Sequence, residues 1–246
     1  MVGAPGKNQR SGVVYLFGRN QGGTNNWGQN QQLTTADGSG IGLGVSVALD
    51  GETLAAGAPD SGGLARPGRT YIFTRNSSSG NWSQLKLITP GPDFGGNRFG
   101  RAVTLRGDTL IVGAPGHNAA GAAFVFSRSQ NWGLVKKLVP GGGFAGDFFG
   151  LALAFDSSGL IVGASGHSIE RGLAYAFSPT TWGVTQQPVA GDGLPYDRFG
   201  TAIALNGQIL AIGAADDNNN KGTVYLYTLP VSEAPATAVY LPLILK

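Results

Sequence analysis

Residues Phe99–Pro115 read FGRAVTLRGDTLIVGAP, a strand, a tight turn and a second strand. The stretch recurs as LGVSVALDGETLAAGAP (Leu43–Pro59), FGLALAFDSSGLIVGAS (Phe149–Ser165) and FGTAIALNGQILAIGAA (Phe199–Ala215). In each copy the second glycine follows the first by 13 residues: Gly44/Gly57, Gly100/Gly113, Gly150/Gly163 and Gly200/Gly213. A half copy, Val2–Pro5, opens the chain. A period of 50 to 56 residues is the signature of a propeller or solenoid.

Each repeat divides into four segments. Segment A follows the Phe-Gly and has two unlike faces. One carries only small residues (Gly100, Ala102, Thr104; Gly150, Ala152, Ala154), the other mostly large ones (Val103, Leu105; Leu151, Leu153, Phe155). Strand side chains alternate with period 2, and a small face lets another backbone approach, as the centre of a ring of sheets requires. The A–B connection is Asp50-Gly51, Arg106-Gly107, Asp156–Gly159 or Asn206-Gly207. Asp-Gly and Asn-Gly are strong hairpin signals because type I′ turns need positive φ at both central residues. Segment B (Leu110–Ala114 and its counterparts) is a short apolar run and reads as a strand buried on both faces. Segment C carries an aromatic-x-aromatic pair: Tyr15/Phe17, Tyr71/Phe73, Phe124/Phe126, Tyr175/Phe177 and Tyr225/Tyr227. Both rings fall on one face, where they fill a core between stacked sheets. Segment D opens at Trp27, Trp82, Trp132 or Trp182 and is more polar, as an outer edge strand should be.

Four-stranded antiparallel meanders at this period predict an all-β propeller of about five blades, or a fragment of a larger ring. The order along the chain is B-C-D, three whole blades, then A-B-C. The propeller occupies residues 1–229. Residues 230–246 read as a linker followed by a strand at 238–245, with two places open to it: D of the last blade or A of the first. Met1 is the only methionine and stands directly before a mid-repeat strand, which suggests a chain cut from a longer protein.

Phe-Gly, about a dozen residues, Gly-Ala-Pro, an aromatic strand and a Trp strand together resemble the FG-GAP repeat. That is the blade of the integrin α-subunit propeller and of many bacterial surface proteins. The resemblance runs from Val2 to Thr228, with Leu43 in place of the first Phe and the Pro replaced at Ser165 and Ala215. It implies an extracellular or cell-surface binding, adhesion or scaffold module. The family's calcium loop lies between A and B, but turns of two to four residues with one or two carboxylates cannot supply the six or more oxygens of a Ca²⁺ cage. No cofactor is therefore expected. The oxygen-rich Asp216–Asn220 segment is the runner-up for a metal and reads more simply as an Asx turn.

Composition narrows the functions further. Gly (42) and Pro (13) are abundant, but the 41% apolar fraction and regular alternation exclude disorder. Net charge is +3 without a basic block, which gives no nucleic-acid footprint. There is no Cys, no bilayer-spanning stretch, and no apolar signal-peptide core in residues 1–20. Inner strands of Gly, Ala, Ser, Thr and aliphatics offer no catalytic constellation, so no enzyme is expected.

Binding residues are sought in the B–C loops, which should share one face of the ring with the D–A loops. Lys7, Ser61, His117, His167 and Asp217 occupy equivalent places there, and Asp60, Arg66 and Arg69 belong to the longest such loop. The candidate rim is Lys7, Asp60, Arg66, Arg69, His117, His167 and Asp217, facing a protein partner or a glycan. The glycan reading leans on the four Trp as sugar platforms, although a repeated slot argues for packing. Asn97, Asp147 and Asp197, two residues before each Phe-Gly, read as loop caps. Arg106-Gly107-Asp108 spells an adhesion tripeptide, but its sister copies explain it by turn chemistry.

Overall fold

The structure is a computed structural model, and it describes residues 1–38, 41–59, 67–91 and 97–229. The chain forms five antiparallel sheets of three, four, four, four and three strands, in the order predicted. The first contains β1 (Val2–Ala4), β2 (Val13–Arg19) and β3 (Trp27–Leu33). The second contains β4 (Ser46–Asp50), β5 (Thr53–Ala58), β6 (Arg69–Arg75) and β7 (Trp82–Ile88). The third contains β8 (Ala102–Arg106), β9 (Thr109–Ala114), β10 (Ala122–Ser127) and β11 (Gly133–Leu138). The fourth contains β12 (Leu153–Asp156), β13 (Gly159–Ala164), β14 (Leu173–Phe177) and β15 (Val184–Gln186). The last contains β16 (Phe199–Asn206), β17 (Ile209–Ala214) and β18 (Thr223–Thr228). The pairing of residues 238–245 lies outside the described residues.

Every blade is a meander, and in the four later blades the aromatic pair of segment C lies on the core side. In the four blades with a described C–D pair, a bulge sits just before the second aromatic, as between Val125 and Phe126. A bulge bends the strand and increases its twist. The Phe of each Phe-Gly packs edge-on against both rings of its own blade. Phe149 lies 5.2 Å from Tyr175 and 6.1 Å from Phe177 between centroids, and Phe99 and Phe199 repeat the arrangement. Leu43 fills that slot beside Tyr71 and Phe73.

Adjacent blades join through glycines. The second glycine of one repeat lies against the first glycine of the next. A Cβ on Gly3, Gly57, Gly113 or Gly163 would stand 1.9–2.1 Å from the carbonyl oxygen of Gly44, Gly100, Gly150 or Gly200. Those four partners have φ near +90°, a conformation that favours glycine. This backbone-on-backbone approach is what the small face of segment A permits. Apolar side chains seal the rest of each seam. Ile111, Ala123, Val125 and Leu138 of the third blade meet Phe149, Leu160, Val162, Tyr175 and Phe177 of the fourth.

At the A–B end, carboxylates stitch neighbouring blades. Asp156 Oδ2 accepts a hydrogen bond from Gly207 N–H (2.7 Å), and Asp50 does the same for Gly107. The Arg106-Gly107-Asp108 turn is likewise committed to the fold. Asp108 accepts from Ser129 N–H (3.1 Å) and faces Arg128, which donates to the Gly107 carbonyl and lies over the Trp132 ring.

The four Trp are a packing slot wherever a segment A is present. Trp82 packs on the core cluster of its blade seam, Trp132 belongs to the next cluster with Leu105, and Trp182 lies 6.0 Å from Phe155 between centroids. The first blade has no described A strand, and Trp27 is 68% exposed where Trp132 is 5%.

Candidate functional site: the B–C and D–A loop face

The B–C loops begin as sequence suggests but then wind the opposite way from an ordinary helix. Asn8–Arg10, Asn118–Ala119, Ser168–Glu170 and Asn218–Asn220 all have positive φ, from 45° to 73°. A run of two or three such residues is a left-handed turn, which costs most L-residues about 1–2 kcal/mol each and is best tolerated by Asn and Asp. The run Asn218-Asn219-Asn220 meets that requirement. Among the described residues no group of three or more His, Asp or Glu side chains gathers in a metal-binding arrangement.

The first three of these turns are each bonded to the D–A loop that leads into the next blade. Gly146 N–H donates to the Ala119 carbonyl (2.9 Å), Phe149 N–H to Ala120 (3.0 Å), and Tyr196 N–H to Ile169 (3.1 Å). Arg198 N–H donates to Glu170 (2.8 Å) and Gly42 N–H to Arg10 (2.7 Å). The Asx before each Phe-Gly is the buried clasp of this belt. Asp147 Oδ2 accepts from Phe144 N–H (2.9 Å) and its carbonyl from Gly166 N–H (3.0 Å). Asp197 binds Leu194 N–H and Asp216 N–H, and the Asn97 carbonyl binds Gly116 N–H.

The sequence-derived rim residues meet different fates. Asp60 and Arg66 lie outside the described residues. Lys7 is exposed. Arg69 faces Asp37 of the preceding D–A loop at 3.5 Å, and His167 Nδ1 lies 3.2 Å from Asp147 Oδ2. Tyr225 Oη lies within hydrogen-bond distance of both Asp217 (2.8 Å) and Asp192 (2.7 Å), and its one proton is shared between the two carboxylates. Burial works against the charged form of Asp217, but hydrogen bonds from Thr223, Tyr225 and Asn218 N–H hold its carboxyl below the usual carboxylate range. His117 is a correction: it is fully buried, edge-on to Phe124 at 5.4 Å, and presents nothing to a partner. The same position that is exposed in the first blade is interior in the third.

Burial, and secondarily the nearby Lys137 charge, lower the pKa of His117 below its ordinary 6.5. A base held neutral by folding binds its proton more readily in the unfolded chain. Stability is then complete above about pH 6.5 and is lost as pH falls from there toward the lowered value, by up to about 1.4 kcal/mol per pH unit. Urea unfolding between about pH 5 and 8 should show this slope in the wild type. His117→Gln should remove it.

Sequence inspection missed the apolar side chains at the loop tips. Phe144, Ile169, Leu194 and Tyr196 are 61–71% exposed, and all lie on loops of the third to fifth blades. The Tyr196–Ile169 backbone bond sets two of them side by side. Phe144 and Leu194 occupy the same place in successive D–A loops, each donating its N–H to the Asp three residues later. Phe148, also exposed, lays its ring over Gly166 at the start of the fourth blade's left-handed turn.

The FG-GAP repeat matches residues 82–126, 132–177 and 182–227, more than half of the chain, each match running from the Trp of segment D to the second aromatic of the next segment C. The chain belongs to the FG-GAP repeat family. FG-GAP repeats build binding modules of the integrin type rather than enzymes. No curated protein sequence matches the chain. Among solved structures, the crystal structure of Saccharomyces cerevisiae Sqt1 is similar at 12% identity and a TM-score of 0.47, over 89% of this chain and 65% of that one. No helix among the described residues of this FG-GAP chain is long and apolar enough to cross a membrane.

Proposed function

We propose that this FG-GAP chain is a non-catalytic extracellular or cell-surface module whose B–C and D–A loop face binds a protein partner. The observation that carries the reading is the exposed apolar set Phe144, Ile169, Leu194 and Tyr196 on loops braced to one another. Exposed apolar patches rimmed by polar groups mark interaction surfaces. Binding residues sit effectively on loops positioned by a rigid scaffold. The neighbouring Asn-rich turn at Asn218–Asn220 and the exposed Arg198 supply polar groups on the same blades.

The test compares the wild type with an Ile169→Asp/Leu194→Asp/Tyr196→Asp variant on an array of native secreted and cell-surface proteins, with a glycan array in parallel. The expected result is a protein ligand bound by the wild type and lost at least about tenfold in the variant, with an unchanged Tm. Equal binding by both proteins overturns the assignment of the face. Sugar-competed glycan binding abolished by Trp82→Ala and Trp132→Ala without unfolding replaces the reading with a lectin.

A further inference from the structure

Two of the exposed tips stand where the backbone resists them. Ile169 has a φ of +59° and Tyr196 a φ of +74°, and the Tyr196 N–H donates to the Ile169 carbonyl (3.1 Å). A β-branched or bulky residue at positive φ is an outlier, because its Cβ crowds the backbone. The sister copies avoid it. The place of Tyr196, three residues before each Phe-Gly or Leu-Gly, is Gly40, Gly96 and Gly146 elsewhere in the sequence. Gly146 takes the same left-handed conformation, at φ +90°. The place of Ile169 holds Gln9, Ala119 and Asn219 in the other left-handed turns, and the residue before it is Asn8, Asn118 or Asn218 where this turn has Ser168. Packing does not explain the exchange, since Ile169 and Tyr196 are 67% and 61% exposed. A residue held in a sparsely populated conformation persists only where its surroundings over-determine it.

Arg198 supplies that hold. Its N–H donates to the Glu170 carbonyl (2.8 Å), its Nε donates to Glu170 Oε2 (2.6 Å), and its Nη1 lies 3.0 Å from Asp216 Oδ2. One residue therefore ties the end of the strained turn to the loop that carries Tyr196 and to the B–C loop of the fifth blade. The planar guanidinium can face two carboxylates at once, which a lysine ammonium does less well. We propose that Arg198 is the latch of a two-state tip. Latched, the Ser168–Glu170 turn and Tyr196 stay left-handed and set Ile169 and Tyr196 side by side on the loop face. Unlatched, the strain is released and the two tips part. The regulatory meaning of the latch rests on the binding face proposed above: a partner seated on both tips binds the latched state and shifts the population toward it. Salt shifts it the other way, because the three charged side chains are 34–50% exposed and open to screening.

Amide hydrogen exchange of the full chain, corrected for intrinsic rates, tests this. It reads the latch without a ligand, so its failure leaves the binding-face reading standing. The probes are the amides of residues 196 and 198, which bond the Ile169 and Glu170 carbonyls, with the Gly163 amide inside its blade as reference. In Arg198→Ala both probes should exchange at least about tenfold faster than in the wild type while Gly163 is unchanged. Adding Ile169→Asn and Tyr196→Asn, which suit the left-handed conformation, should return residue 198 and residue 196 to the wild-type rate or below. Probes that do not change in Arg198→Ala overturn the proposal. So does a triple variant that exchanges as fast as Arg198→Ala, since the turn then stores no strain. A Gly163 rate that rises together with the probes overturns it too, because the opening is then of the whole blade.

Discussion

Gly163→Ala is expected to destabilise the protein by at least about 3 kcal/mol, or to prevent folding, while Gly213→Ala leaves stability unchanged or raises it by about 0.5–1 kcal/mol. The two glycines occupy the same place in consecutive repeats, so sequence alone treats them alike. A methyl on Gly163 would lie 2.1 Å from the Gly200 carbonyl oxygen and 3.1 Å from its carbon. Those are backbone atoms, so relief requires moving a whole blade rather than rotating a side chain. The seam then opens along Ile161, Ala174 and Ala176, which pack against Phe199 and Tyr225. At Gly213 the nearest atom among the described residues stands at 3.5 Å, ordinary contact, and the φ is not in the left-handed region. There alanine simply reduces the conformational freedom of the unfolded chain. Urea midpoints of the two variants, measured side by side, decide the matter. Equal losses would mean that the glycines serve the strand itself and not the seam.

Phe149→Ala should cost about 3–5 kcal/mol, and Phe149→Leu no more than about 1.5 kcal/mol. Phe149 is fully buried between Tyr175 and Phe177 of its own blade and Ile111, Ala123 and Val125 of the one before. Truncation therefore leaves a cavity walled by two blades at once, and neither can collapse without disturbing the other. Leucine is tolerated because the molecule already uses it at Leu43, in the same slot. Chemical denaturation supplies the check. A loss under about 1 kcal/mol for the alanine variant would show that the ring contributes edge geometry and little volume.

The blades were legible because their determinants are local. Alternating small and large residues in segment A, an Asx-Gly turn, and a paired aromatic each state a strand or a hairpin within a few residues. Their fourfold recurrence states the rest. Even Leu43 and Ser165, which break the motif, sit in its geometry. The loop face was only partly legible, for the opposite reason. The left-handed turns are set by carbonyls that bond a loop some 25 residues away, as Ile169 does with Tyr196. Nothing in the string His-Ser-Ile-Glu announces that handedness. His117 was expected at the surface because its B–C loop should share one face of the ring with its counterparts, yet it is fully buried against Phe124. Phe144 and Leu194 belong to none of the four repeated segments and are exposed loop tips. The Asn run of the last blade is the one place where composition did carry the signal, since Asn tolerates positive φ.

The directional seam makes a blade a cassette with a leading edge and a trailing edge. Such a unit can be duplicated or removed whole, because each new neighbour still meets the face it expects. It cannot be inverted, and a partial unit breaks two joints. The length of a chain built this way is therefore free to change in steps of about 50 residues, while the loops at its rim, which no seam constrains, are free to change one residue at a time.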